Sequence, residues 1–428
     1  MQVESWLRRA ARLRPDHVAL RADDGALTYA QLDAAATLAA RRVGALGVGP
    51  GDRVGIALPA RRAFVETLHG CMRLGAVAVP IDLRLRPDER RLRTGGCAAV
   101  VTEPLEGLAD EGAPLTDTHD LDAPAIVVHT SGTTAGPRAV ELTYGNWLWS
   151  ALGSAVALGV DPADRWLCTL PLAHVGGLSI LLRSAICATT VILHERFDAE
   201  AAADELATRA TLVSVVPTTL ARLLDAGLRH PPALRAALVG GAPIPPALIE
   251  RATAAGVPTV GTYGLTEACS QVTTGGPPLF CTRVRIGPGR EILAAGPTVA
   301  PPALAADGWL HTGDEGALDE DGNLTVTGRA GDTIITGGEN VAPTEVEAVL
   351  SGHPAVAEAG VHGAPDPEWG QRVVATVVLR ADQTATEDDL RGYCRVRLAG
   401  YKVPRAIRFA PELPKTVSGK LLRRSLEE

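Results

Sequence analysis

The sequence predicts an α/β protein with a large N-terminal domain of mostly parallel sheets covered by helices, and a small α+β C-terminal domain. Apolar runs of strand length recur through the first 330 residues, with helix-length segments between them. Strands that are apolar throughout are typical of parallel sheets buried on both faces. The chain has 428 residues, of which 46% are hydrophobic, so it can bury more than one core and intrinsic disorder is not expected.

The first long helix is predicted to begin after Thr28. Thr28 and Gln31 have the spacing of a capping box, in which each side chain accepts a hydrogen bond from the other residue's backbone N–H. The apolar residues that follow share one helical face: Leu32, Ala36, Ala39, Val43 and Leu46. Gly47 is expected to end this helix.

The predicted strands and the change of pattern near residue 330 define two domains. Short β-rich runs lie at 53–58, 76–80, 98–102, 125–130, 189–193 and 211–216. The later part predicts a helix near 344–350, strands near 355–362 and 372–379, a helix near 387–398 and a strand near 405–409. About a hundred residues of this kind form a small domain in its own right. We therefore expect an N-terminal domain at 1–331 and a C-terminal domain at 332–428.

Charge, cysteine spacing and hydropathy exclude several classes of protein. The net charge of −8 argues against a nucleic acid or an anionic membrane as the main partner. The seven cysteines are scattered, which fits neither a disulfide framework nor a zinc site. The first 17 residues lack the apolar core of a signal peptide, and Arg183 interrupts the most apolar stretch, Val175–Leu193. The sequence thus predicts a soluble, cytoplasmic protein, and a homodimer is compatible with it.

The segment His129–Arg138 is rich in glycine, serine and threonine and follows a predicted buried strand. Backbone N–H groups freed by glycines, together with hydroxyl donors, form a plausible cradle for phosphate. The spacing is not that of a Walker loop. A polar turn after a strand is the alternative reading.

Three further segments carry groups suited to a nucleotide. Gly261–Glu267 offers a carboxylate that could bind Mg²⁺ and a tyrosine that could stack on a base. Gly308–Asp314 precedes a hairpin turn at 319–322, and Asp314 with Arg329 could hold a ribose. Pro414–Lys420 places a lysine beside glycine and serine, which suits a phosphate contact. Taken singly, each segment also reads as an ordinary loop, hairpin or basic tail.

In this order the four segments together resemble the adenylate-forming superfamily, which includes acyl-CoA synthetases, nonribosomal-peptide adenylation domains and luciferases. The resemblance covers essentially the whole chain, from residues 5–20 to residues 419–425. The family signature reads roughly SGTTGxPKG, whereas residues 131–139 read SGTTAGPRA, with Arg138 and Ala139 in place of Lys and Gly. Arginine keeps the charge but not the compact geometry of lysine.

The resemblance implies a barrel-like part in the N-terminal domain, a mobile C-terminal domain and a role for each matching residue. Lys420, Glu267, Thr266 and His174 are expected to take part in catalysis, with Glu267 and also Thr133 on Mg²⁺. Asp332 is expected to be the hinge between the two domains. The residues expected to bind ATP or coenzyme A are Thr130, Ser131, Gly132, Thr133, Thr134, Gly136, Arg138, Gly240, Gly241, Ala242, Tyr263, Gly264, Asp314, Arg329, Gly338 and Glu339.

Two segments, residues 171–184 and 261–271, narrow the choice of acid substrate. Both resemble the corresponding segments of o-succinylbenzoate–CoA ligases of menaquinone biosynthesis. The residues expected near the acid are His174, Gly177, Arg183, Thr218 and Ser270. Burying an unpaired guanidinium in so apolar a helix is costly, so Arg183 needs a carboxylate or a bound anion. A dicarboxylic substrate would supply that anion. An arginine that reaches the surface, or one paired with an acidic residue, is the alternative.

The implied function is an ATP-dependent acid–CoA ligase that works through an acyl-AMP intermediate. The expected reaction converts 2-succinylbenzoate, ATP and CoA to 2-succinylbenzoyl-CoA, AMP and pyrophosphate. One alternative is a ligase for another aromatic or medium-chain acid. A second is a freestanding adenylation domain for a carrier protein, although residues 211–220 and 236–243 lack an Asp for an α-ammonium group. A non-catalytic nucleotide-binding or scaffolding protein is the alternative from another class.

Overall fold

The computed structural model describes residues 1–107, 114–130, 138–329, 331–336, 339–367, 369–416, 419 and 421–426. The strands, in chain order, are β1 (Gln2–Glu4), β2 (Val18–Ala22), β3 (Gly25–Thr28), β4 (Arg53–Ile56), β5 (Val77–Pro80), β6 (Ala99–Val101), β7 (Thr118–Asp120), β8 (Pro124–Thr130), β9 (Arg138–Thr143), β10 (Arg165–Cys168), β11 (Thr190–Leu193), β12 (Leu212–Val215), β13 (Ala236–Val239), β14 (Thr259–Leu265), β15 (Ser270–Thr274), β16 (Arg283–Ile286), β17 (Glu291–Ala295), β18 (Leu310–Leu318), β19 (Leu324–Arg329), β20 (Ile334–Thr336), β21 (Glu339–Val341), β22 (Val356–Asp366), β23 (Gly370–Leu379) and β24 (Ala406–Phe409).

Most of the helices begin at a capping side chain or at a proline, whereas α1, α3 and α6 have neither. Thr28 caps α2 through the capping box with Gln31, and Thr386 caps α11 in the same way with Asp389. The helices are α1 (Trp6–Leu13), α2 (Tyr29–Ala45), α3 (Arg62–Leu74), α4 (Pro87–Thr94), α5 (Tyr144–Leu158), α6 (Val175–Cys187), α7 (Ala199–Thr208), α8 (Pro217–Asp225), α9 (Pro246–Ala254), α10 (Pro343–Ser351) and α11 (Glu387–Arg395).

Two large sheets form the N-terminal part. The first has the strand order β6-β4-β5-β8-β9, with parallel pairs except for β8 and β9. The second has the order β15-β14-β13-β12-β10-β11-β2-β3 and is parallel from β14 to β2. Every residue of β5, β11 and β13 is buried, as expected for parallel strands covered on both faces. The predicted strands at 53–58, 76–80, 98–102, 125–130, 189–193 and 211–216 are confirmed as β4, β5, β6, β8, β11 and β12.

A smaller antiparallel sheet with the order β16-β17-β18-β19 follows. The predicted hairpin turn at 319–322 joins its last two strands, where the Asp319 N–H donates to the carbonyl of Asn323. No pairing joins β16 to β19 in the described part of the chain, so the part expected to be barrel-like is an open sheet there.

The last sheet has the order β21-β20-β23-β22, with β24 parallel to β23. It packs with α10 and α11 around its own apolar core, which contains Ile334, Val346, Val361, Leu390 and Ile407. The predicted elements of the C-terminal part are confirmed, and so is the α/β class with a large N-terminal and a small C-terminal domain. The boundary after residue 331 and the mobility of the small domain stay predictions. Within the described ranges, no helix is both long and apolar enough to cross a membrane.

Candidate active site

Most of the predicted site residues of the N-terminal domain follow neighbouring parallel strands. His174 comes after β10, Thr218 after β12, Gly240 after β13, and Glu267 after β14. These strands are adjacent in the eight-stranded sheet, so their carboxyl ends meet along one edge. Ligands of open α/β sheets bind in the crevice outside the carboxyl ends of the strands. The edge is therefore the candidate active site.

The predicted phosphate loop is closed at its base by two antiparallel strands. Thr130 ends β8 and pairs with Arg138, which begins β9, and the Thr130 hydroxyl lies 3.4 Å from the Arg138 carbonyl oxygen. Both chain ends of the loop are therefore held in the five-stranded sheet. The predictions for Ser131, Gly132, Thr133, Thr134 and Gly136 lie outside the described residues.

The turn after β13 approaches β14 closely. A Cβ atom at Gly240 would lie 2.7 Å from the carbonyl oxygen of Thr262, so a side chain there would clash with backbone. Gly241 and Ala242 are exposed beside this turn. A Cβ at Gly264 would clash with the Ser270 carbonyl oxygen, where the register of β14 and β15 shifts between Tyr263 and Gly264. Glycine at both positions lets the backbone approach the site edge.

Tyr263, Asp314 and Arg329 meet in space. The Tyr263 hydroxyl donates to Asp314 Oδ2 at 2.8 Å, and Arg329 Nε lies 3.4 Å from Asp314 Oδ1. Asp314 and Arg329 face each other across β18 and β19, whereas Tyr263 comes from β14 of another sheet. Burial, with the Asp314 charge as a second cause, raises the pKa of the Tyr263 hydroxyl. The arrangement holds one carboxylate in a fixed orientation at the junction of two sheets.

Glu267 and Thr266 form a short 3-10 turn directly after β14. The Glu267 backbone carbonyl accepts a hydrogen bond from Ala300 N–H at 2.8 Å, while its half-buried side chain forms no hydrogen bond or ion pair in the described ranges. Cys269 and Ser270 follow with φ values of 51° and 92°, a backbone region that residues other than glycine seldom adopt. The carboxylate is thus presented at the site edge by a strained turn.

His174 lies beside an acidic residue that the sequence did not single out. His174 Nε2 is 3.6 Å from Asp82 Oδ2, and Asp82 accepts hydrogen bonds from Arg84 Nε and Nη2 at 2.9 and 2.7 Å. Burial opposes the ionisation of Asp82, but His174 and Arg84 outweigh it and lower the pKa of this carboxyl. His174 precedes α6, and its side chain is 35% exposed.

Arg183 lies in α6 with only 5% of its side chain exposed. Its guanidinium carbon sits 4.7 Å above the Trp166 ring, and Nη2 lies 3.4 Å from Gln271 Oε1. No Asp or Glu of the described residues pairs with it, and its Nε is buried without a partner there. Burial lowers the pKa of Arg183 to about 10, so the group stays charged at neutral pH. Both alternatives from the sequence, a surface-reaching arginine and an acidic partner in the protein, are therefore wrong for the described chain.

The remaining predicted residues lie at several places in the fold. Gly177 lies in the first turn of α6, where a Cβ would meet the Pro171 carbonyl oxygen, and Thr218 is exposed at the start of α8. Glu339 is exposed on β21. Asp332 bonds to Arg423 in the C-terminal tail. Gly338 and Lys420 lie outside the described residues.

Four contact residues were missed by sequence reasoning: Asp82, Trp166, Gln271 and Arg423. Only Asp82 carried a usable signal, since a charged residue directly after a buried parallel strand sits at the ligand-binding edge. The others become visible only when α6 is placed beside β10 and β15, or the C-terminal tail beside the segment between β19 and β20.

Comparisons with known proteins agree with this geometry. A family model described as AMP-binding enzyme matches residues 7–115 and 102–300, and one described as AMP-binding enzyme C-terminal domain matches residues 345–420. The chain belongs to the AMP-binding enzyme family. The resemblance to the adenylate-forming superfamily is thereby confirmed.

Individual relatives extend over the full length. The 2-succinylbenzoate–CoA ligase of Bacillus licheniformis is 38% identical over 478 aligned positions, which span 100% of this chain and 100% of that relative. The o-succinylbenzoate CoA synthetase of Bacillus subtilis in complex with the acyl-adenylate intermediate OSB-AMP has a TM-score of 0.94 and 36% identity, covering 100% and 99% of the two chains. The same enzyme in complex with ATP and magnesium has a TM-score of 0.93 at 36% identity, with both chains covered completely.

Proposed function

We propose that this protein is an ATP-dependent acid–CoA ligase whose acid is 2-succinylbenzoate. It would form 2-succinylbenzoyl-CoA, AMP and pyrophosphate through an acyl-AMP intermediate. Full-length relatives of that activity support the reaction class. The observation that carries the choice of acid is Arg183, which is buried and charged and has no carboxylate beside it among the described residues. A second carboxylate on the substrate is the partner that this guanidinium lacks.

The nucleotide half of the site is proposed to hold ATP along the sheet edge. Asp314, fixed by Tyr263 and Arg329, would accept hydrogen bonds from the two ribose hydroxyls. Gly240, Gly241, Ala242 and Gly264 would border the adenine, with the Tyr263 ring beside it. Thr130 and Arg138 would position the phosphate loop from both ends. Mg²⁺ is proposed to be held by Glu267 together with nucleotide phosphates.

The acid is proposed to lie along α6. His174 immediately precedes α6, and Arg183 lies within this helix. A dicarboxylic substrate is proposed to place one carboxylate at each of these two residues. Gly177, Thr218 and Ser270 are proposed to line the space between them. One carboxylate would stay paired with Arg183 while the other attacks the α-phosphate near His174.

The chemistry needs charge neutralisation, because a carboxylate that approaches a triphosphate meets repulsion. Mg²⁺, when bound, offsets phosphate charge, and Lys420 is proposed to bridge the acid and the α-phosphate. Thr266, which lies in the same turn as Glu267, would donate a hydrogen bond. The C-terminal domain, residues 332–428, is proposed to turn about Asp332 after adenylation and to bring Gly338 and Glu339 to the CoA channel. A cytoplasmic location, a homodimer and the absence of nucleic-acid and membrane partners belong to the same proposal.

A panel of free acids tests the proposal. The protein is incubated with ATP, Mg²⁺ and CoA, and both pyrophosphate and thioester are measured for 2-succinylbenzoate, benzoate, octanoate and several amino acids. We expect 2-succinylbenzoate to give the highest kcat/KM for both products. A higher value with benzoate or octanoate would indicate another acyl-CoA ligase. Pyrophosphate with an amino acid but no thioester would indicate a carrier-protein adenylation domain, and no pyrophosphate with any acid would contradict an enzymatic role.

A further inference from the structure

Arg423 is at the centre of a three-way contact near the C-terminus. Its Nε donates to the carbonyl oxygen of Val361 at 3.2 Å, Nη2 to Glu347 Oε2 at 2.7 Å, and Nη1 to Asp332 Oδ2 at 2.9 Å. The acceptors belong to β22, to α10 and to the segment between β19 and β20. One planar guanidinium thus connects the core of the small domain with the chain segment that leads into it.

The ion pair with Glu347 holds the Arg423 guanidinium in place. Glu347 is 14% exposed, and its Oε1 also accepts the Val361 N–H at 2.8 Å. Burial raises the pKa of Glu347, and the Arg423 charge opposes that rise. Since a buried acid left without its partner is strongly unfavourable, Arg423 stays in place through Glu347. The Asp332 carboxylate is more open, with 35% exposure, and its side chain makes no other hydrogen bond or ion pair in the described ranges.

Arg423 also lies directly after the segment that carries Lys420. Lys415 and Leu421 form an antiparallel bridge, and the Leu422 N–H donates to the Pro414 carbonyl oxygen at 2.9 Å. The described residues on the two sides of Lys420 are therefore paired with each other, and this pairing ends directly before Arg423. The guanidinium fixes this paired segment relative to Asp332, because the same group binds both the small-domain core and the segment between β19 and β20.

We propose that Arg423 is a positioning residue that holds the Lys420 segment to Asp332, and that acyl-AMP formation depends on this contact. The inference rests on the proposed function, in which Lys420 acts in the first half-reaction alone. Loss of the Arg423–Asp332 contact then slows adenylation and spares the transfer of a pre-formed acyl group to CoA.

The test compares the two half-reactions in Asp332→Asn, Arg423→Lys and the double variant. Asp332→Asn removes the ion pair while the buried Arg423–Glu347 pair stays intact, so folding is preserved. Lysine keeps the positive charge at position 423 but cannot donate to the three acceptors in the planar arrangement of a guanidinium. We expect each single variant to slow single-turnover pyrophosphate release roughly tenfold, as for a partly exposed charge-assisted hydrogen bond. Transfer from pre-formed acyl-AMP to CoA should keep its wild-type rate, and the double variant should be no slower than the slower single variant.

Glu345→Gln is the matched control, because it breaks the Lys402–Glu345 ion pair (2.7 Å) on the same helix, α10, without touching Asp332. It should change neither half-reaction. Equal slowing of both half-reactions in Asp332→Asn and Arg423→Lys, or no slowing of either, would overturn the inference and leave Arg423 a structural residue. The inference would also be overturned if the rate losses of the two single variants multiplied in the double variant. A wild-type protein that releases no pyrophosphate would instead overturn the proposed function, and this inference with it.

Discussion

Two single side chains of the candidate site allow specific tests of the proposed chemistry. The first is Arg183. A charged guanidinium that is 5% exposed lies between the Trp166 ring and the Gln271 amide. The contact with an aromatic face stabilises a cation by about 2 kcal/mol when both are desolvated, which is less than the several kcal/mol that burial of an ion costs. A bound anion would supply the remaining stabilisation, and the proposed substrate has one.

Arg183→Gln should therefore raise KM for 2-succinylbenzoate by on the order of 10²-fold, because the second carboxylate is left unpaired. A mono-acid analogue without that carboxylate should be a poor substrate of the wild type and should barely respond to the substitution. Steady-state kinetics with both acids check this. Equal losses for the two acids, together with a lower melting temperature, would indicate that Arg183 is a structural residue.

Tyr263 is the second such residue, since its hydroxyl orients Asp314 from another sheet. Tyr263→Phe keeps the ring but removes one hydrogen bond to the carboxylate, so KM for ATP should rise about tenfold. With 2′-deoxy-ATP the same substitution should cost less, because Asp314 has one hydroxyl fewer to hold. An equal rise in KM for both nucleotides would contradict a ribose-binding role for Asp314.

At the level of elements, parallel strands that end beside one another form the candidate site, and the segment between β19 and β20 is proposed to control it. Asp332 lies between β19 and β20, and its N–H donates to the Arg329 carbonyl oxygen at 2.9 Å. Proline at this position would fix φ and restrict a swing of the small domain. The rates of Asp332→Pro are compared with those of Asp332→Asn, because both substitutions remove the carboxylate.

Asp332→Pro should form acyl-AMP at the rate of Asp332→Asn, whereas thioester formation should collapse. Lys420→Ala should show the opposite pattern, with adenylation slowed by roughly 10²–10³-fold and transfer to CoA retained. Rapid-quench measurement of pyrophosphate and thioester separates the two steps. If Asp332→Pro forms thioester as fast as Asp332→Asn, then Asp332 is not the pivot.

The elements themselves could be read from the sequence where one pattern decides them. The capping box at Thr28 and the apolar runs 76–80 and 211–216 correspond to α2, β5 and β12, because caps and continuous burial are local properties. Asp314 and Arg329 were paired correctly because one hairpin joins them. The bond from Tyr263 to Asp314 and the contact of Arg183 with Trp166 join different sheets or layers, and no short stretch of sequence encodes such distances.

At the level of the whole molecule, the N-terminal core contains histidines that must stay neutral. Burial lowers the pKa of His69 to about 4, and burial together with His69 and Arg73 lowers that of His119 to about 3. An unfolded histidine titrates near 6.5, so between these values the unfolded chain binds more protons than the folded one. Stability should be fully present above about pH 6.5 and should fall as the pH decreases toward 4.

His69→Leu should reduce this pH dependence, since one buried histidine contributes up to about 1.4 kcal/mol per pH unit within the window. Melting temperatures between pH 8 and pH 5 check the expectation. At pH 8 the histidine is neutral in both the folded and the unfolded state. The difference in melting temperature between His69→Leu and the wild type at this pH therefore measures the packing effect of leucine alone. Parallel curves for wild type and variant across the range would show that His69 does not carry the effect.

We propose that one protein activates an acid as acyl-AMP and then passes the acyl group to CoA. A two-stage experiment tests this directly: the protein is mixed with ATP, Mg²⁺ and 2-succinylbenzoate without CoA, the bound products are identified, and CoA is then added. Before CoA is added, we expect pyrophosphate and enzyme-bound acyl-AMP in equal amounts. After CoA is added, we expect 2-succinylbenzoyl-CoA and free AMP in the same amounts. The proposed reaction is wrong if ADP and phosphate form instead of AMP and pyrophosphate, or if CoA does not consume the acyl-AMP.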